Sequence, residues 1–94
     1  MNRHEFVEKL KSQLDEINAE VDELEAKVDH AEADVKAKYQ EKLKEAKAAR
    51  ASAEGKLQEL RDAGEDAWED LKADAEHTWK ALRSSVNYFK SQFK

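Results

Sequence analysis

RDAGEDAWED, residues 61–70, is the strongest punctuation in a 94-residue chain that has no Pro and only two Gly. Gly64 suits the left-handed residue that follows a helix C-terminus, and Asp66 with Glu69 three positions on has the form of a capping box with Asp in the Ser/Thr place. A stop and restart is expected here: a long helix over about 4–62, a turn over about 63–65 and a second helix over about 66–92. Gly55 has no cap chemistry after it and is expected inside the first helix, at a cost of about 1 kcal/mol relative to Ala.

Working outward from this stretch, apolar residues recur every eleven positions. One series is Val35, Ala46, Leu57, Trp68 and Trp79; a second opens with Lys38 and continues Ala49, Leu60, Leu71, Leu82 and Phe93; a third opens with Lys42 and runs Ala53, Gly64, Ala75 and Val86. Eleven residues in three turns is about 3.67 per turn, which keeps such a stripe nearly straight. Trp68 and Trp79 are therefore equivalent core positions. If the chain reverses around Gly64, residues whose numbers add to about 128 face each other, as in an antiparallel helical hairpin. Leu57 then meets Leu71, Ala53 meets Ala75, Ala49 meets Trp79, Ala46 meets Leu82 and Tyr39 meets Phe89. Large side chains on the short arm fill the space that the Ala-rich arm leaves, as a packed core requires. The expected hairpin core is Tyr39, Leu43, Ala46, Ala49, Ala53, Leu57, Leu60, Trp68, Leu71, Ala75, Trp79, Leu82, Val86, Phe89 and Phe93. One continuous helix is the alternative, because the eleven-residue phase runs unbroken through Gly64.

The first third of the chain keeps a different period. Val7, Leu10, Leu14, Ile17, Val21, Leu24, Val28, Ala31 and Val35 step by three and four, a heptad seam of about four repeats whose Val and Leu/Ile alternation leans towards two strands. A hairpin that begins after Val35 leaves this seam without a partner. A coiled-coil homo-oligomer follows, a homodimer in preference to a higher oligomer, with Val7, Leu10, Leu14, Ile17, Val21, Leu24, Val28 and Val35 as its interface. Residues 12–34 carry nine acids against Lys27 alone, while residues 36–56 carry seven bases against three acids. An antiparallel dimer would lay one run along the other. Glu5 with Lys9, Glu23 with Lys27, Glu32 with Lys36, Arg61 with Glu65 and Lys72 with Glu76 have the spacing of helix-surface ion pairs.

The composition, 39% hydrophobic and 41% charged, is that of an all-α, coiled-coil-like chain. Without Cys there is neither a disulfide framework nor a thiolate metal site. His4, His30 and His77 lie far apart; Asp74 and His77 share a face, but two ligands fall short of a zinc site. Ser84 and Ser85 lack a neighbouring base, and no glycine-rich phosphate loop is present. No catalytic, cofactor-binding or metal residue is assigned, and the protein reads as non-enzymatic. No apolar run approaches the roughly 20 residues of a membrane span, and the start MNRHEFVEKL has no secretory core, so a cytoplasmic location is expected. Basic residues alternate with acids, which disfavours nucleic acid as a partner. In KALRSSVNYFKSQFK, residues 80–94, there are four bases and no acid. On a helix Trp79, Leu82, Val86, Phe89 and Phe93 share a face there, so an anionic membrane surface is the alternative partner.

FVEKLKSQLDE at the start, a long charged middle, and GEDAWEDLK followed by a second Trp resemble a group of small bacterial coiled-coil proteins of unknown function. The resemblance spans the chain and implies a helical coiled coil, but no activity, ligand or functional residue; Ala63 stands before Gly64 where Ser is expected in that group. The eleven-residue amphipathic repeat also resembles lipid-binding apolipoproteins, though here the stripe is narrow and contains Trp. The expected function is a structural or protein-interaction module that self-associates through a coiled coil, with peripheral membrane binding by the C-terminal helix as the alternative.

Overall fold

A computed structural model describes residues 2–93, and the chain is all-helical. α1 spans Arg3–Asp29, α2 spans Ala33–Asp62 and α3 spans Trp68–Gln92. They form a bundle 51 Å long and 18 by 17 Å across. Lys47 with Glu25 and Arg50 with Asp22 set α2 antiparallel to α1. Lys56 with Asp74, and Tyr39 with Phe89, set α3 antiparallel to α2. Consequently α1 and α3 run parallel, with Phe6 against Trp68 at one end and Glu20 against Lys90 at the other.

The segment expected as one long helix is two helices, broken at residues 30–32. The His30 N–H donates to the Ala26 carbonyl and the Ala31 N–H to that of Val28, both at 3.1 Å. α2 restarts from Glu32, which is extended at φ −62° and ψ 155° and makes no side-chain cap. No Pro or Gly marks this break; its cause is tertiary. A continuous helix would leave the heptad seam in water, whereas folding back buries eight large side chains of α1, from Phe6 to Val28. At roughly 1.5–3 kcal/mol for each, that burial outweighs the few helical hydrogen bonds given up, each worth about 1 kcal/mol net. The break also places Lys27 in the last turn of α1 and Asp34 in the first turn of α2, complementing both helix dipoles.

The seam expected as an oligomer interface lies within the bundle of one chain. Val7, Leu10, Leu14, Ile17, Val21, Leu24 and Val28 are buried inside the chain's own bundle. Val35, beyond the break, is 38% exposed and does not continue the seam. The pairing of acidic 12–34 with basic 36–56, expected between two copies, is made within one, by Glu25 with Lys47 at 2.6 Å and Asp22 with Arg50 at 3.1 Å.

α2 and α3 contribute Leu43, Ala46, Ala53, Leu57, Leu60, Trp68, Ala75, Trp79, Leu82, Val86 and Phe89 as buried residues, with Tyr39, Ala49, Leu71 and Phe93 half-buried around them. The third helix changes what the tryptophans do. Trp79, expected against Ala49, sends its indole Nε1 to α1, where it donates to the Leu10 carbonyl at 3.0 Å. Trp68 packs on Phe6, with ring centroids 5.8 Å apart.

The turn between α2 and α3 differs in chemistry from its expected form. No glycine has a positive φ, and α2 ends on extended Ala63 rather than on a left-handed Gly64. The Ala63 carbonyl accepts from the Arg3 guanidinium, which also pairs with Glu65, so the exit from α2 is tied to α1. Asp66 caps nothing: it lies in a turn in which the Ala67 and Trp68 N–H groups both donate to the Gly64 carbonyl, and Ala67 is the residue that precedes α3. The C-terminus of α3 is served in the same manner, its Gln92 carbonyl accepting from the Tyr39 hydroxyl at 2.9 Å. The N-terminus of α1 carries the side-chain cap that the sequence reading did not identify, Asn2 accepting from the Glu5 N–H at 2.8 Å.

Candidate interaction surface

On the outer side of the α2–α3 contact the facing residues are short. Ala46, Ala49 and Ser52 on α2 stand beside Ala81 and Ser85 on α3, leaving a groove between the two helices. It runs from Lys38 and Gln92 at one end, past Lys42 and Tyr88, to Ser52 and Thr78. Along α2 that path is about 21 Å at 1.5 Å per residue. Beyond it the Lys56–Asp74 ion pair, at 2.6 Å, bridges the two helices. Asp74, hydrogen-bonded to the Lys56 ammonium, holds that amine above its ordinary pKa of 10.5, with its charge and that of Glu59 adding to the effect.

The open end of the groove is basic and aromatic. Tyr88 is 57% exposed, and the Lys42 ammonium stands 5.7 Å from its ring centroid. The Lys38 ammonium stands 5.4 Å from the ring of Tyr39, which itself packs edge-on to Phe93 at 4.9 Å. Among the described residues neither lysine has an ion-pair partner, whereas Lys27, Lys47, Arg50, Lys56 and Lys90 all do. Of the ion pairs read from helix spacing, Lys27 with Glu23 closes at 3.4 Å, while Glu65 turns to Arg3. Lys38 and Lys42 open the second and third eleven-residue series, and that position on the stripe, where apolar residues stand elsewhere, is the sequence signal that puts their charges at the groove.

His4, His30 and His77 are exposed, His77 at the far end of the groove. Asp74, which shares its face, is held by Lys56. Among the described residues no three His, Cys, Asp or Glu side chains gather where a metal could be held. The C-terminal face read as a membrane contact is turned inward: Trp79, Leu82, Val86 and Phe89 are buried and Phe93 half-buried. No helix among the described residues is long and apolar enough to cross a membrane.

The family model described as vesicle transport v-SNARE protein N-terminus matches residues 1–61, which are 61 of the 94. The chain belongs to this v-SNARE N-terminal family. The match takes in α1, the break at 30–32 and α2 as far as Arg61, and leaves α3 outside. No curated protein and no solved structure matches the chain. The v-SNARE N-terminal assignment gives the coiled-coil likeness of the sequence a family, one of helical interaction segments in vesicle transport rather than of enzymes.

Proposed function

We propose that this chain is a non-enzymatic protein-interaction module of vesicle transport, working on the cytoplasmic face of membranes, and that it docks a helical segment of a partner protein in the α2–α3 groove. The observation that carries the reading is the exposed Tyr88 beside Lys38 and Lys42, neither in an ion pair among the described residues and with Glu45 the one acid in the lining, at the mouth of a groove floored by Ala and Ser. Short floor residues let a fourth helix approach closely, and about 21 Å accommodates roughly four of its turns. The complementary helix has a small or apolar face and an acidic flank to meet the two lysines. The burial of the Val7 to Val28 seam within the bundle supports a partner other than a second copy.

The test is a binding titration with synthetic acidic amphipathic helices and basic counterparts, on the wild-type chain and on Ser85→Arg, which fills the groove from an exposed position. Acidic helices bind the wild type and are rejected by S85R, while helicity and Tm stay unchanged. Equal binding by both proteins, or no helix bound by either, overturns the reading.

A further inference from the structure

A second groove lies on a different edge of the bundle, between α1 and α3, and the docking of a helix does not use it. Its volume is about 360 Å³, within the range of small-molecule sites of roughly 300–1,000 Å³. Its walls include the aromatic side chains of Phe6 and Trp79, and its rim carries Lys9 on α1 and Lys80 and Arg83 on α3, against one acid, Glu76. Among the described residues none of these three cations is in an ion pair. The neighbouring Lys72 stands over the Phe6 and Trp68 rings, at 5.7 and 5.9 Å from their centroids, and adds a fourth positive charge to the same edge.

The ends of this edge are closed differently from its middle. Arg3 with Glu65 bridges α1 to α3's leading turn, and Glu20 with Lys90 bridges the two helices farther along. Between those bridges no ion pair joins the two helices among the described residues, and the groove lining carries three cations against Glu76. From Phe6 to Gln13, and from Glu76 to Arg83, the lining spans about 10 Å of helix. That is too short for a docked helix and suits a small anion. A guanidinium fork presents paired donors to phosphate oxygens, and two ammonium groups supply further charge-assisted bonds. The Phe6 and Trp79 rings behind the rim are 3% and 4% exposed, so recognition falls to the three rim cations.

We infer that the α1–α3 groove is a binding site for a phosphomonoester, held by Lys9, Lys80 and Arg83 beside the Trp79 indole. The phosphomonoester is either the headgroup of a lipid or a soluble phosphate ester. A lipid source would bring the folded bundle to a membrane through this edge without opening the core, since the aromatic residues of α3 stay buried.

The test uses tryptophan fluorescence and vesicle sedimentation on three forms of the full chain: wild type, Lys80→Gln with Arg83→Gln, and Lys36→Gln with Lys44→Gln as a control with the same change of charge on α2. The probes are phenyl phosphate, inorganic phosphate, and phosphatidylcholine vesicles with and without phosphatidic acid. The expected result is binding by the wild type and the control that weakens at least tenfold in K80Q/R83Q, with unchanged helicity. Binding of phenyl phosphate identifies a soluble ester as sufficient, and binding confined to phosphatidic acid vesicles identifies a headgroup. Equal weakening in both double variants reduces the effect to net charge and overturns the site, as does the absence of binding to every probe.

Discussion

The indole Nε1 of Trp79 donates to the main-chain carbonyl of Leu10 at 3.0 Å, joining residues 69 positions apart in a buried contact between α3 and α1. A backbone carbonyl within a helix already receives an intrahelical bond, so the indole uses its second lone pair and fixes the axial position of α3 on α1. Trp79→Phe removes this bond and part of the ring volume, and is expected to cost about 1–3 kcal/mol in urea unfolding. Trp68→Phe, at a residue held by ring packing on Phe6, is expected to cost less. Equal losses in the two variants would remove the special role given to the Trp79 bond.

The two glycines give opposite answers under the expected and the observed turn. A left-handed Gly64 would make Gly64→Ala destabilising, but Gly64 has no positive φ and a Cβ built on it meets nothing within 4 Å. Gly64→Ala is therefore expected to leave Tm unchanged or raise it slightly. Gly55, inside α2 and equally unobstructed, is expected to gain about 1 kcal/mol on replacement by Ala. Thermal unfolding of the two variants checks both, and a clear loss for G64A would restore the left-handed cap.

The all-helical architecture is legible in the sequence because the heptad and eleven-residue spacings both belong to helices with one apolar stripe. The break at 30–32 is not, because it carries no Pro, no Gly and no side-chain cap; it exists for what folding back buries. Once α1 is known to return along α2, the acidic and basic runs are seen to match in one chain as well as they would in two, and charge pattern alone cannot distinguish the cases. Phe6 lies one residue off the heptad seam, and only the approach of Trp68 from α3 gives it a place in the core. The grooves are read last, since Lys9 and Arg83 come together only through the parallel packing of α1 and α3.

The Lys56–Asp74 bridge predicts an alkaline effect with a definite sign. The hydrogen bond and charge of Asp74 raise the Lys56 pKa in the folded state above 10.5. The protonated amine thus stabilises the fold fully below the unfolded pKa, and that contribution disappears as pH rises through the higher folded value. Between about pH 9 and 12 the wild type is expected to lose more Tm than Lys56→Met, which has no such amine to titrate. Parallel curves for the two proteins would show that the bridge contributes nothing to the pH dependence.

Val28 and Val35 are one heptad apart, and a continuous seam would make them equivalent. In the bundle Val28 is fully buried and Val35 is 38% exposed beyond the break. Val28→Ala is accordingly expected to cost about 2 kcal/mol, and Val35→Ser to stay within about 0.5 kcal/mol of wild type. Light scattering and small-angle scattering on the same samples supply the independent check. A particle of monomer mass about as long as the 51 Å bundle, with Tm independent of protein concentration, follows from a seam used within the chain. A dimer in which both substitutions are equally damaging would return Val35 to an intermolecular seam, and with it the single long helix that the break at residues 30–32 replaces.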